Sequence, residues 1–188
     1  MSVDFVDWSA KVADGYPFPE AAPARQIADE LLAMLVSPGP EIRDGLAYTT
    51  AARWIAEGRL DEVLGQLGDT AASRFARPEV QATSFGPLTL CLVLKRADSI
   101  PSFVTQAAAE RWYAAFSAWY PAEQDTRGWD DSLGWLHAVA HGADAAAAFA
   151  RVLPNRREEL LELCARRMMA RQSDHHRCSW RMHGLPVR

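Results

Sequence analysis

The sequence predicts an all-α fold built from antiparallel helix pairs, with seven to nine helices in all. Apolar residues recur three and four positions apart in most segments between prolines and glycines, which is the spacing of an amphipathic helix. No segment sustains the alternation of a strand, and no Asn-Gly or Asp-Gly turn separates two strand-like runs. The helix pairs favour a HEAT-like α/α solenoid, but no clean internal repeat is visible, so an irregular bundle is the alternative.

The first third of the chain contains four helical patterns separated by proline and glycine. An amphipathic pattern over residues 3–13 is followed by predicted helices from Pro23 to Leu35 and from Glu41 to Gly58. Asp61 is suited to cap a fourth helix because its carboxylate can accept hydrogen bonds from free backbone N–H groups. The apolar positions that define the last three helices are Ile27, Leu31, Leu32, Met34 and Leu35, then Ala47, Tyr48, Ala51 and Ile55, then Val63, Leu64 and Leu67.

Two further helices follow. The first opens at Pro78 and carries apolar residues to Leu94, and Gly86-Pro87 should kink it or delay its start because proline cannot donate a helical hydrogen bond. The second carries an aromatic stripe at i, i+4 and i+7, a pattern typical of a core more than of a ligand platform. The stripe consists of Trp112, Phe116 and Trp119.

The next helix is predicted to begin near Asp130 and to run to about Leu153, and Pro154 starts a last one. At about 100° per residue the central helix has two faces of opposite character. Its packing stripe comprises Trp135, Val139, Gly142, Ala146 and Phe149, and the opposite stripe comprises His137, His141 and Asp144.

From composition we expect one globular domain over residues 1–172, followed by a basic C-terminal tail over residues 173–188. The chain has 188 residues, of which 49% are hydrophobic and 23% charged. It is therefore long and apolar enough to form a hydrophobic core, and disorder is not expected. The longest apolar run, Leu88 to Leu94, is too short to span a bilayer, and the acidic N-terminus lacks a secretory signal pattern. We therefore expect a cytoplasmic protein with reduced thiols and no membrane partner.

Charge is distributed unevenly along the chain. The net charge is −4, yet residues 151–188 hold nine arginines against four carboxylates. An arginine-rich tail can contact nucleic acid, but a solvated tail or a helix lying on an acidic body is the favoured interpretation. The oligomeric state is left open.

Three side chains on the central helix have the spacing of metal ligands. His137 and His141 are four residues apart, and Asp144 adds a carboxylate one turn later. This set suits a divalent metal such as zinc with one position open for water. Ala138 stands where the zinc-peptidase pattern has its glutamate, so the alternative is that both histidines are hydrogen-bonded and fix helix packing.

Further polar residues are candidates for the lining of a binding cleft. Arg127 beside Gly128 is suited to bidentate recognition of a carboxylate or phosphate, and the alternative is an internal salt bridge with Asp44 or Asp125. Ser84 could place a hydroxyl in the same cleft, with helix capping as its alternative. The predicted cleft comprises Arg43, Asp44, Tyr48, Ser84, Asp125, Arg127 and Trp129.

These segments resemble a bacterial family known as domain-of-unknown-function family 2785. The resemblance is carried by the segment 42–48 followed by Trp54-Ile55, by Ser84-Phe85, and above all by the segment 125–144, and it covers roughly residues 25–150. This chain has Thr83 where the family usually has arginine and Leu133 where it usually has lysine. The resemblance implies a helical fold with an unassigned activity.

Two functions follow from these residues. The first is a helical-repeat binding protein whose polar cleft holds a small polar ligand or a peptide. The second is a metal-dependent hydrolase that uses the His-x3-His-x2-Asp set, with Asp44 or Asp130 activating water. Neither a G-x-S-x-G elbow nor a glycine-rich phosphate loop is present in the sequence.

Overall fold

Seven α-helices make up most of the described part of the chain in a computed structural model that describes Trp8 and residues 14–170. They are α1 (Ala24–Met34), α2 (Thr49–Ala56), α3 (Leu64–Ser73), α4 (Val80–Ser99), α5 (Gln106–Trp119), α6 (Ala138–Val152) and α7 (Arg157–Met169). A π-helix, Glu41–Tyr48, leads directly into α2. The all-α prediction is confirmed, and the choice between a solenoid and a bundle stays a prediction.

Helix α4 lies at the centre of the fold. Its most extensive contact is with α6, and it also packs on α2 and α3. The predicted aromatic stripe of α5 is buried, with Trp112 1% and Phe116 0% exposed, so the core interpretation of that stripe is confirmed. Close packing depends on glycine, because a Cβ on Gly68 would lie 2.2 Å from the Trp112 ring and one on Gly142 would lie 2.2 Å from the Tyr120 ring.

Proline within α4 does not delay the helix. Helix α4 runs from Val80 to Ser99 with Pro87 inside it, so of the two effects expected for Gly86-Pro87 the delayed start is wrong and the kink stays a prediction. The adjacent Gly86 has a packing role, since a Cβ there would lie 3.0 Å from the backbone oxygen of Ala71 in α3. Gly86 therefore lets α4 pack closely against α3 beside Pro87.

The segment before α6 is a hairpin, and the predicted helix start near Asp130 is wrong. Strands β1 (Trp129–Asp130) and β2 (Gly134–Trp135) pair antiparallel. The Asp130 side chain accepts hydrogen bonds from the N–H groups of Ser132 at 2.9 Å and Leu133 at 3.0 Å, and Gly134 has φ +70°. Side-chain capture of local N–H groups competes with helix formation, so the turn replaces the first helical turns.

This hairpin changes the environment of Trp135. Helical periodicity placed its side chain on the packing stripe of α6, whereas the residue is 55% exposed on β2. The packing interpretation of Trp135 is therefore wrong.

Several predictions concern residues beyond those that the structure describes. The amphipathic pattern at residues 3–13, apart from Trp8, the domain boundary at residue 172, and the basic tail at 173–188 all lie outside them. Within Trp8 and residues 14–170, no helix is long and apolar enough to cross a membrane. Cys91 and Cys164 are free thiols.

Candidate functional site

The buried side chain of Arg43 connects the π-helix to the hairpin through hydrogen bonds. Its side chain is fully buried, and Nε donates to Oδ1 of Asp44 at 2.7 Å. Nη2 donates to the backbone oxygens of Leu133 at 2.6 Å and Trp135 at 3.1 Å. The guanidinium also stacks over the Phe85 ring, 4.7 Å from its centroid. Arg43 thus fixes the hairpin, and its donors are occupied by the protein itself.

The guanidinium donors of Arg127 are likewise occupied by neighbouring carboxylates. Its Nε lies 3.0 Å from both carboxylate oxygens of Asp125, and Nη1 donates to Asp130. Burial alone would raise the pKa of Asp125, but hydrogen bonds from the Arg127 side chain and backbone outweigh it and hold that pKa below its usual value. Of the two internal partners considered from the sequence, Asp125 is the one that Arg127 contacts.

The hairpin delivers His137 to the start of α6. The N–H of Leu136 donates to the Gly128 carbonyl at 3.0 Å, and the N–H of His137 donates to the Arg127 carbonyl at 3.2 Å. His137 itself has the left-handed conformation, φ 54° and ψ 32°, and precedes the first residue of α6. A left-handed non-glycine residue is strained and needs support from its surroundings, which these hydrogen bonds provide.

The orientation of His141 is set by Ser84 of α4. Nδ1 of His141 lies 2.9 Å from the backbone oxygen of Ser84 and 3.3 Å from its hydroxyl, while that hydroxyl donates to the Leu136 carbonyl. A carbonyl only accepts, so Nδ1 carries the proton and Nε2 keeps a lone pair. Ser84 is fully buried and therefore acts on the site through His141.

Burial keeps His141 neutral. Desolvation lowers its pKa from 6.5, the hydrogen bond to Ser84 opposes this shift, and the nearby charges come from His137, Asp144 and Asp44. No hydrogen bond to Nε2 is present in the described part of the chain. The site thus holds a neutral imidazole with one free acceptor atom.

Tyr48 and Asp144 complete the inner end of the site. Burial raises the pKa of the Tyr48 phenol, and the charges of Cys91 and Asp144 raise it further. Cys91 lies beside Asp144, with Sγ 3.5 Å from its backbone oxygen. The exposed carboxylate of Asp144 is therefore close enough to act electrostatically on both Tyr48 and His141.

Six rings run in sequence from the hairpin to the π-helix, and we name them the aromatic row. The centroid distances are 5.0 Å from Trp129 to Trp135, 5.0 Å from Trp135 to His137, 6.0 Å from His137 to His141, 5.6 Å from His141 to Phe85 and 6.4 Å from Phe85 to Tyr48. Trp135 and His137 are stacked with 13° between their planes. Trp129 and Trp135 are 51% and 55% exposed, so the row opens to solvent at the hairpin.

Sequence reasoning missed two members of this row. Helical periodicity places Trp135 on a packing stripe. A turn at Asp130 instead pairs Trp135 with Trp129 across two strands, and the sequence indicates this pairing once the turn is recognised. The sequence places Phe85 among the apolar residues of its helix and beside Ser84. No local pattern places it between Tyr48 and His141, since both contacts are long-range.

The predicted metal ligands lie near one another but do not share one helix. His137 precedes α6 and stacks on Trp135, and the centroids of the two imidazoles are 6.0 Å apart. Across Trp8 and residues 14–170, no group of three or more His, Cys, Asp and Glu side chains has the geometry to hold a metal ion. Metal binding by His137, His141 and Asp144 stays a prediction.

A separate groove of about 820 Å³ lies near Asp125 and Thr83. It is lined mainly by alanines and by Phe75 and Trp119, which stack at 4.7 Å. None of the six rings of the aromatic row lines it. The groove is thus separate from the aromatic row, and Asp125 is the residue of the predicted cleft that lines it.

Comparison with known proteins identifies the family. The model of a family described as "Protein of unknown function (DUF2785)" matches residues 74–175, which is more than half of the 188 residues and includes α4, the hairpin and α6. Neither the curated proteins nor the solved structures gave a match. The resemblance seen in the sequence is confirmed, and the chain belongs to the DUF2785 family.

Proposed function

We propose that the protein binds a small polar ligand or a peptide through a cationic group, an ammonium or a guanidinium, which lies on the aromatic row. The observation that carries the proposal is the pair of exposed tryptophans, Trp129 and Trp135, in edge-to-face contact at 5.0 Å. Exposed indole rings in contact are typical of recognition surfaces, and tryptophan is the strongest cation–π partner.

The balance of charge around the row favours a cation. Both nearby arginines are already paired, Arg43 with Asp44 and Arg127 with Asp125 and Asp130. Further carboxylates are supplied by Asp131, which accepts a hydrogen bond from the Trp129 indole at 3.1 Å, and by exposed Asp144. Among the described residues, these five carboxylates outnumber the cations Arg43, Arg127 and Lys95, the last of which lies beside Cys91. The bidentate recognition of an anion considered for Arg127 is therefore not the function that this charge pattern supports.

The free acceptor on His141 fits the same ligand. Its Nε2 can accept an N–H from a ligand because Nδ1 is committed to Ser84 and burial keeps the ring neutral. His141 in the middle of the row and the nearby Asp144 both offer acceptors. A donor-rich group such as guanidinium complements both ends of the surface.

In this proposal the chain is a cytoplasmic binding protein built from HEAT-like helix pairs. Helical scaffolds of that kind present to their ligands a surface built from several helices. Here the π-helix, α4, the hairpin and α6 each contribute at least one ring.

The proposal is tested by titrating the protein with N-acetyl-argininamide and, in parallel, with N-acetyl-glutamate amide, using tryptophan fluorescence. We expect saturable quenching by the arginine probe alone. Replacing Trp135 with alanine should weaken it by about two- to thirtyfold, since a cation–π contact contributes about 0.5–2 kcal/mol. Phe103→Ala is the matched control, because Phe103 is 45% exposed and lies outside the row. An equal response to both probes, or binding unchanged in Trp135→Ala, would contradict the proposal.

A metal-dependent hydrolase is the second proposal, and the lone pair on Nε2 of His141 is the observation that favours it. An unprotonated imidazole nitrogen is the form that ligates zinc. His137 and Asp144 would be the other ligands. Elemental analysis of the purified protein separates the two functions: stoichiometric zinc, manganese or iron that is lost in His141→Ala supports the hydrolase, and metal-free protein excludes this site.

A further inference from the structure

Arg74 is a second buried arginine, remote in sequence from the aromatic row. It follows α3 directly and is 5% exposed. Nη2 donates to the backbone oxygen of Leu32, which lies in the last turn of α1. Carbonyls at a helix C-terminus lack intrahelical donors, so this half of the guanidinium caps α1.

The other half of the guanidinium is unpartnered. Nη1 of Arg74 is buried and has no hydrogen-bond partner among the residues that the structure describes. Burial lowers the pKa of Arg74 to about 10, and the charge of Arg77 contributes to that shift. The side chain is still protonated near neutral pH. A buried charge without a counter-charge is unfavourable, so this group is suited to an anionic partner.

Arg74 lines a cavity of about 280 Å³ that contains other donors. Its polar lining residues are Thr70, Ser73, Arg74, Arg77, Glu79 and Gln81. Glu79 pairs with Arg77 at 2.9 Å, which neutralises that arginine. The Ser73 hydroxyl donates to the Thr70 carbonyl at 2.7 Å. The cavity therefore keeps one net positive charge, with the Thr70 hydroxyl and the Gln81 amide beside it.

We propose that this cavity binds an oxyanion, the carboxylate or phosphate group of a small organic molecule. Arg74, which lines the cavity, would supply the positive charge, and Thr70 and Gln81 would donate hydrogen bonds to the oxygens of the anion. The volume exceeds that of an inorganic ion, so the rest of the molecule fits beside the anionic group. The site is distinct from the aromatic row, where the charge pattern selects a cation.

The test uses inorganic phosphate and acetate as probes at constant ionic strength, with chloride as the reference. Phosphorus NMR line broadening and the shift in thermal unfolding temperature report binding. We expect saturable binding of at least one probe, and the tighter of the two identifies a phosphate or a carboxylate as the natural group. Arg74→Gln should weaken binding by about tenfold or more, because the positive charge of the cavity is lost.

Two surface variants keep the test decisive if Arg74→Gln destabilises α1. Arg77→Gln leaves Glu79 unpaired and should weaken binding several-fold, whereas Glu79→Gln frees Arg77 and should tighten it several-fold. Arg53→Gln is the matched control, since Arg53 forms an exposed ion pair with Glu57 outside the cavity. The site is overturned if neither probe binds saturably, or if Arg77→Gln and Glu79→Gln bind as the wild type does.

Discussion

His141 donates its Nδ1–H to the backbone oxygen of Ser84 across 2.9 Å, which ties α6 to α4 and decides the chemistry of the ring. The contact fixes the tautomer, and burial keeps the ring neutral. As a result Nε2 is an acceptor in the middle of the aromatic row. Packing and ligand recognition thus depend on the same imidazole.

Acidification should destabilise the protein through His141. Its folded pKa lies below 6.5, the value expected for the unfolded chain, so between these two values the unfolded state binds more protons. The unfolding free energy therefore falls as the pH drops through 6.5 towards the folded pKa of His141. Denaturant titrations across this range measure the slope, and His141→Gln should flatten it. A slope that is the same in both proteins would contradict the shift.

Arg43 should be essential for stability. Arg43→Met removes the donors to Leu133 and Trp135 and leaves Asp44 without its partner, and we expect a loss of about 3–5 kcal/mol. Arg43→Lys keeps the positive charge but lacks the planar guanidinium with its several donors. We therefore expect the unfolding free energy to fall by about 2 kcal/mol or more. Equilibrium denaturation measures both values. A lysine variant as stable as the wild type would show that the fork geometry is unimportant.

Two glycines of α3 should respond in opposite ways to alanine. Gly68→Ala places a Cβ 2.2 Å from the Trp112 ring and should cost about 1–3 kcal/mol. Gly65 has nothing within 4 Å of the same position, so Gly65→Ala should stabilise the helix by up to about 1 kcal/mol. Thermal unfolding of the two variants is the comparison. Equal effects would mean that α3 and α5 pack less closely than described.

Much of the fold is readable in the sequence because helical spacing and proline are strong local signals. The burial of Trp112 and Phe116 follows from the i, i+4 stripe of α5. Pro154 marks the start of the last helical segment, first as a short 3₁₀ turn and then as α7. These features depend on residues close together in the chain, where periodicity is informative.

The candidate site was harder to predict because a side chain overrode local helical periodicity. Asp130 captures two N–H groups and converts the expected first turns of α6 into a hairpin, which exposes Trp135. The alanine-rich pattern after His137 gave no sign of this change. Long-range contacts are equally hidden, since nothing near Arg74 in sequence indicates that it caps Leu32 of α1.

The most direct test of the aromatic row is nitrogen NMR of the His141 imidazole at neutral pH, with and without N-acetyl-argininamide. We predict a protonated Nδ1 and an unprotonated Nε2, and an Nε2 resonance that moves saturably as the probe is added. A ring protonated at Nε2, or an Nε2 resonance that does not respond to the probe, would contradict a ligand surface built on this residue.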